Sequence, residues 1–172
     1  MTAAHLTGKR VLVLGAETEI GAAIASALAG ANADLALVAA TTDSTAAFSV
    51  RRLSRRLSDG SRKVIAQAID ATNEMAVRVM VRQVAKTMAG LDTIVFCADL
   101  GDGTQASLDL ALRYGGRELA KARGLFVAVT AAVVVRPPSA GFDLALVPTE
   151  GRDIDELVRE VLDHIAGAPH NG

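Results

Sequence analysis

The feature that most constrains the fold of this chain is an alternation. Between Lys9 and Ala98, apolar runs of strand length take turns with segments whose apolar residues recur at helical spacing. Such a pattern predicts a parallel sheet covered by helices, an α/β architecture. Val11 to Leu14 reads as a first strand, since a strand covered on both faces is continuously apolar rather than alternating. Ile20, Ala23, Ile24, Ala27 and Leu28 then fall on one helical stripe, with Gly30 placed as a C-cap. Leu35 to Val38 is a second strand. A second helix carries Val50, Leu53 and Leu57 on one face and Arg51, Arg52, Arg55 and Arg56 largely on the other, closed by Asp59-Gly60.

Val64 to Ile69 forms a third strand, and Val77, Met80, Val81, Val84 and Met88 mark the buried side of a third helix ended by Gly90. Thr93 to Cys97 is a fourth strand. A helix follows between Gln105 and Arg123, but it contains Gly115-Gly116, each costing about 1 kcal/mol relative to Ala. A kink, a bulge or two shorter helices are therefore all open. Leu125 to Val134 reads as a long fifth strand, and residues 136–141 as a turn or linker, because consecutive prolines donate no ladder hydrogen bonds. Phe142 to Val147 makes a sixth strand, and Asp153 with Glu156 resembles a capping box ahead of a last amphipathic helix. The expectation is one domain over residues 1–172, about six strands in a three-layer, doubly wound sheet, with residues 1–8 and 167–172 as flexible tails.

Composition narrows the function classes. Eighteen basic residues stand against 19 acidic ones, for a net charge of −1. That balance gives no global attraction for nucleic acid or an anionic membrane, so neither is expected as a partner. The longest apolar stretch is far short of the roughly 20 residues that span a bilayer. The N-terminus does not read as a cleaved signal, and one cysteine, Cys97, suits a reducing compartment. The cytoplasm is the expected location. Three histidines, His5, His164 and His170, stand beside no carboxylate at ligand spacing, and no metal site is expected.

The residues Leu14-Gly15-Ala16-Glu17-Thr18-Glu19-Ile20-Gly21 resemble the T-G-x-x-x-G-I-G motif of the short-chain dehydrogenase/reductase family. The likeness continues at Asp70-Ala71-Thr72, similar to the family's Asp-Val-Thr after strand three. It extends through Gly90-Leu91-Asp92-Thr93-Ile94-Val95-Phe96-Cys97-Ala98, similar to G-x-L-D-x-L-V-N-N-A. With Ala27 to Val38, which looks like the family's helix one, turn and strand two, these make four landmarks in order over the first hundred residues and imply a Rossmann-like fold. If a dinucleotide binds at all, the resemblance assigns it to Gly15, Thr18, Ile20, Gly21, Asp70, Ala71 and Ala98, and its identity to NAD or NADP. No cofactor is expected firmly, because the departures matter more.

In such a motif the glycines let backbone N–H groups approach a pyrophosphate at the helix N-terminus. Here Glu19 replaces the middle glycine, and Glu17 stands nearby. Two like charges about 6 Å apart cost roughly 3 kcal/mol at an effective dielectric near 20. The alternative is that both glutamates serve the helix N-terminus, where carboxylates are favoured. After strand two, where an acidic or basic residue selects the ribose or its phosphate, the chain has Ala39-Ala40-Thr41, with Asp43 read as a helix N-cap. The family's paired asparagines are Phe96 and Cys97 here, the latter read as an inert buried thiol.

The resemblance also implies a Tyr general acid/base with a Lys four positions on and a Ser completing the set. The one tyrosine is Tyr114, followed four residues later by Glu118. Ala131 falls where the serine is expected, beside Thr130. The prolines stand where the Tyr/Lys helix would be; in a second alignment that helix is Leu108 to Arg123, and its motif still fails. Catalytic residues are therefore expected to be none, with Tyr114 and Thr130 as the weak candidates. The leading expectation is a non-catalytic binding or assembly subunit. The alternatives are an NAD(P)-dependent oxidoreductase with rearranged groups and a dinucleotide sensor. A homodimer or hetero-oligomer through the sheet-covering helices is expected, since cover for strand five must come from somewhere.

Overall fold

The computed structural model describes residues 5–135 and 141–167. Six parallel strands form one sheet in the order β3-β2-β1-β4-β5-β6. They are β1 (Arg10–Leu14), β2 (Asp34–Ala39), β3 (Val64–Ala68), β4 (Thr93–Phe96), β5 (Leu125–Val129) and β6 (Asp143–Val147). The helices are α1 (Glu19–Gly30), α2 (Ser44–Leu57), α3 (Glu74–Thr87), α4 (Thr104–Lys121) and α5 (Ile154–Gly167). Helices α1, α2 and α5 bury Ile24, Val50 and Val161 against one face of the sheet, which supplies Val11, Val13 and Val127. On the other face α3 and α4 bury Val77, Met80 and Leu108 against Leu12, Leu14 and Phe126. This is the three-layer, doubly wound Rossmann-like arrangement. Strand order reverses between β2-β1 and β4, so a crevice opens at the carboxyl ends of β1 and β4.

Several local expectations need correction. Strand five stops at Val129 rather than running to Val134, because β4 and β6 offer it ladder partners only between Leu125 and Val129. Beyond it the Thr130 hydroxyl accepts the Ala132 N–H at 3.0 Å, and the Gln105 side chain serves both backbone groups of Val133. Helix α4 is continuous through its glycine pair. A Cβ on Gly115 would lie 2.5 Å from Ile94 Cδ1, and one on Gly116 2.7 Å from the Phe142 ring. The pair lets the helix lie close to the sheet. At the end of α1 the left-handed residue is Asn32, φ 69°, not Gly30. Leu6, expected in a loose tail, is buried, and its N–H donates to Ala31 O. The N-caps Asp43 and Asp153 are in place. Residues 136–140 of the proline linker, and 1–4 and 168–172 of the tails, lie outside the described residues.

Candidate functional site

A cavity of about 390 Å³ opens at the carboxyl edge of the sheet, lined by Ile20, Ala98, Asp99, Thr104, Thr130 and Ala131 among others. Ile20 in the first turn of α1 lines it, and the turn from β1 into α1 packs beside Ala98 of its wall. Gly15 sits in that turn at φ +100°, and a Cβ on it would lie 2.5 Å from Ala98 N. A Cβ on Gly21 would lie 2.1 Å from Gly15 O. Both glycines of the motif are thus demanded by the chain's own packing. Thr18 caps α1: its hydroxyl accepts the Gly21 N–H at 2.9 Å and donates to Gly15 O at 2.8 Å. Glu19, the first residue of α1, is exposed to solvent at the helix mouth.

Glu17 goes elsewhere. Its two carboxylate oxygens each lie 3.1 Å from the N–H of Ala40, immediately past β2. Burial pushes its carboxyl above the usual glutamate range, against the opposing hydrogen bond from Ala40. The carbonyl of Ala40 accepts the N–H of Ala71, which is fully buried past β3. Beside it Asp70 is exposed and accepts the Thr72 hydroxyl at 2.6 Å and the Thr72 N–H at 3.0 Å, which holds its carboxyl below the usual range. Gly15, Thr18, Ile20, Gly21 and Ala98 therefore cluster around one turn, while Asp70 and Ala71 flank it beyond the end of β2.

Cys97 is buried against Leu14 O and Gly15 O, and burial pushes its thiol up to about 12. Such a thiol stays protonated and unreactive at neutral pH. Asp99 and Asp102 are exposed in the loop after β4, where Asp99 accepts the Gly101 N–H. No group of three or more metal-ligating side chains occurs among the described residues.

The two weak catalytic candidates are not brought together. Thr130 lines the cavity. Tyr114 lies on the α3/α4 face, where its phenol donates to Glu74 and its ring carries the Arg117 guanidinium at 5.1 Å. The four lysines of the chain all stand at the opposite edge of the sheet from the cavity. Lys9 directly precedes β1 and Lys63 directly precedes β3. Lys86 and Lys121 fall in the last turns of α3 and α4, helices that run against the strands. A five-residue strand spans about 16 Å, farther than an ammonium stem can reach.

The family profile of the short-chain dehydrogenases matches residues 9–113, which is more than half of the chain and contains the glycine turn. The chain belongs to the short-chain dehydrogenase family. The profile match stops one residue before Tyr114. A metagenomic short-chain oxidoreductase solved in complex with NADP superposes with a TM-score of 0.79 at 18% identity, over 95% of this chain and 93% of that one. A short chain dehydrogenase from Mycobacterium smegmatis gives 0.72 at 19% identity, over 96% and 89%. NAD+-bound xylitol dehydrogenase gives 0.64 at 20% identity, over 80% and 59%. At these identities the likeness is one of fold. Glycine betaine reductase ATRR of Emericella nidulans is 34% identical over 93 residues, 54% of this chain, which spans only 7% of that reductase's length. Among the described residues no helix of this short-chain dehydrogenase is long and apolar enough to cross a membrane.

Proposed function

We propose that this short-chain dehydrogenase is a non-catalytic member that works as a binding or assembly subunit. The observation that carries this reading is the position of its only phenol and its four ammonium groups, none of which lines the cavity at the carboxyl edge of the sheet. Hydride chemistry on a carbonyl or alcohol needs a proton donor held within about 3 Å of the reacting oxygen. Around the cavity the hydroxyls are those of Thr104, Thr130 and Thr149, the first two already accepting backbone N–H groups.

A nicotinamide dinucleotide fits these residues poorly. Glu19 sets a carboxylate at the helix mouth that a pyrophosphate would approach, and the retained glycines are accounted for by packing on Ala98 and Gly15 O. The reading predicts no consumption of NADH or NADPH with a panel of carbonyl compounds. Its single cysteine is a buried thiol, and we take the cytoplasm as its compartment.

A second reading, a dinucleotide sensor, is favoured by one observation. Glu17 delivers a carboxylate to the end of β2, where an acidic group accepts the ribose hydroxyls of NAD and repels the phosphate of NADP. Thermal-shift titration separates the two. A ligand at a hundred times its dissociation constant stabilises by about 2.7 kcal/mol, or about 5–10 °C in a chain of this size. A shift with NAD alone supports the sensor; no shift with either supports an assembly subunit.

A further inference from the structure

The face formed by α3 and α4 carries two rows of cations. Arg78, Arg82 and Lys86 follow one another at four-residue intervals along α3, all exposed, and none has an ion-pair partner among the described residues. Arg113, Arg117 and Lys121 repeat the spacing along α4. Between the rows runs a groove of two adjoining cavities, about 600 Å³ and 290 Å³, which share Arg82, Glu118 and Lys121. Lys121 is already paired with Glu118, and Arg113 and Tyr114 with Glu74. Like charges four apart on a helix repel by a few tenths of a kcal/mol each, and α3 carries two such pairs. Glu74, four residues before Arg78, and Glu118, which lines the groove with Arg82, leave the six cations of the two rows in excess.

We infer that this groove binds an acidic, amphipathic segment of another protein. The inference rests on the binding-subunit reading and names the partner's chemistry. Charge complementarity selects an anion. An apolar strip selects a polypeptide: Val79 lines the groove and is 42% exposed, and Met75, one turn before it, is 61% exposed. A helix laid in the groove meets apolar anchors at its base and cations along its flanks. A polynucleotide has no use for the strip, and the α3 row spans only about 12 Å, roughly four phosphates of one strand. A second copy through the same face is disfavoured, because a two-fold interface sets the same cationic face against itself.

The test is fluorescence anisotropy on the full chain at low salt. The probe is a labelled amphipathic helical peptide with glutamates on its polar face and leucines on its apolar face. A peptide with glutamine for every glutamate is the control. The expected results are binding of the glutamate peptide at least about tenfold tighter than the control and loss of that preference in Arg78→Glu/Arg82→Glu. Binding should be unchanged in Arg51→Glu/Arg55→Glu on α2 and several-fold weaker in Val79→Ser. In the double variant positions 78 and 82 stay like-charged, so the folding control is the single variant Arg82→Glu, which makes its pairs with Arg78 and Lys86 both attractive. It should weaken the preference and melt no lower than the wild type, so that lost binding is not lost folding. Equal binding of both peptides would overturn the inference, as would equal damage from the α2 variant. So would a labelled single-stranded oligonucleotide bound as tightly through the same arginines, displacement of the peptide by an equal concentration of tripolyphosphate, or low-salt self-association abolished by the groove variant. Hydride transfer would defeat the non-catalytic reading alone, whereas failed peptide binding defeats the groove alone.

Discussion

The carboxylate of Glu17 turns back from the β1–α1 turn and takes the N–H of Ala40 on both its oxygens, at 3.1 Å each. It closes the end of β2 from inside the protein. Desolvation outweighs the hydrogen bond in setting its protonation and raises its pKa. A carboxyl raised on folding contributes stability that is fully present below its unfolded pKa, about 4.3, and is lost as pH rises through the folded value. Glu17→Gln keeps an acceptor for Ala40 while removing the buried charge. The variant should therefore melt above the wild type at pH 7, and the two should converge as the pH is lowered to about 4. Melting curves across that range check it.

Arg10 and Asp92 tie the start of β1 to the residue before β4. The guanidinium donates to both carboxylate oxygens at 3.0 Å, and the Arg10 N–H donates to Asp92 at 2.9 Å. Burial of Asp92 opposes ionisation, but the hydrogen bonds and charge of Arg10 outweigh it and hold the carboxyl below the usual aspartate range. Asp92→Ala should cost about 1–2 kcal/mol, the lower part of the range for charged hydrogen bonds because both partners keep some solvent. For a depressed carboxyl the stabilisation exists above the unfolded pKa and fades as pH falls through the folded one. The gap in denaturation midpoint between wild type and variant should be full at pH 6 and narrow below about pH 4.

Gly115 lies against Ile94, so the two should be coupled. Alanine in a helix interior is favoured over glycine by about 1 kcal/mol. Here its Cβ would stand 2.5 Å from Ile94 Cδ1, and overpacking of this kind costs about 1–3 kcal/mol. Gly115→Ala should give no net gain and cost up to about 2 kcal/mol. Ile94→Val removes the obstructing methyl, and the double variant should be more stable than the sum of the two single changes implies. A double-mutant cycle by chemical denaturation measures the coupling.

These cases mark how much the sequence discloses. The strands and helices were legible because a sheet covered on both faces demands unbroken apolar runs such as Leu35 to Val38, and the helices flanking it demand stripes such as Val77, Met80, Val81 and Val84. The continuity of α4 was not legible, since glycine propensity argues locally against it. The space that requires Gly115 and Gly116 is made by Ile94 and Phe142, distant in the chain. The glycine turn was legible as a turn. The direction taken by Glu17 was not, because its partner is a backbone N–H beyond another strand. The lysines' distance from the cavity was readable in principle, as a residue that precedes a strand or ends a helix lies at the amino edge of a parallel sheet. So was the four-residue spacing of Arg78, Arg82 and Lys86, a signal that a search for catalytic motifs passes over.

The central claim is that neither the phenol of Tyr114 nor any lysine ammonium reaches the cavity where hydride chemistry would occur. It is tested most directly by incubating the purified full chain with NADH or NADPH and a panel of aldehydes and ketones while following the reduced-nicotinamide absorbance. The account predicts a rate equal to that of buffer, unchanged in Tyr114→Phe and Thr130→Ala. Turnover above that background which disappears in Thr130→Ala or Tyr114→Phe would contradict it.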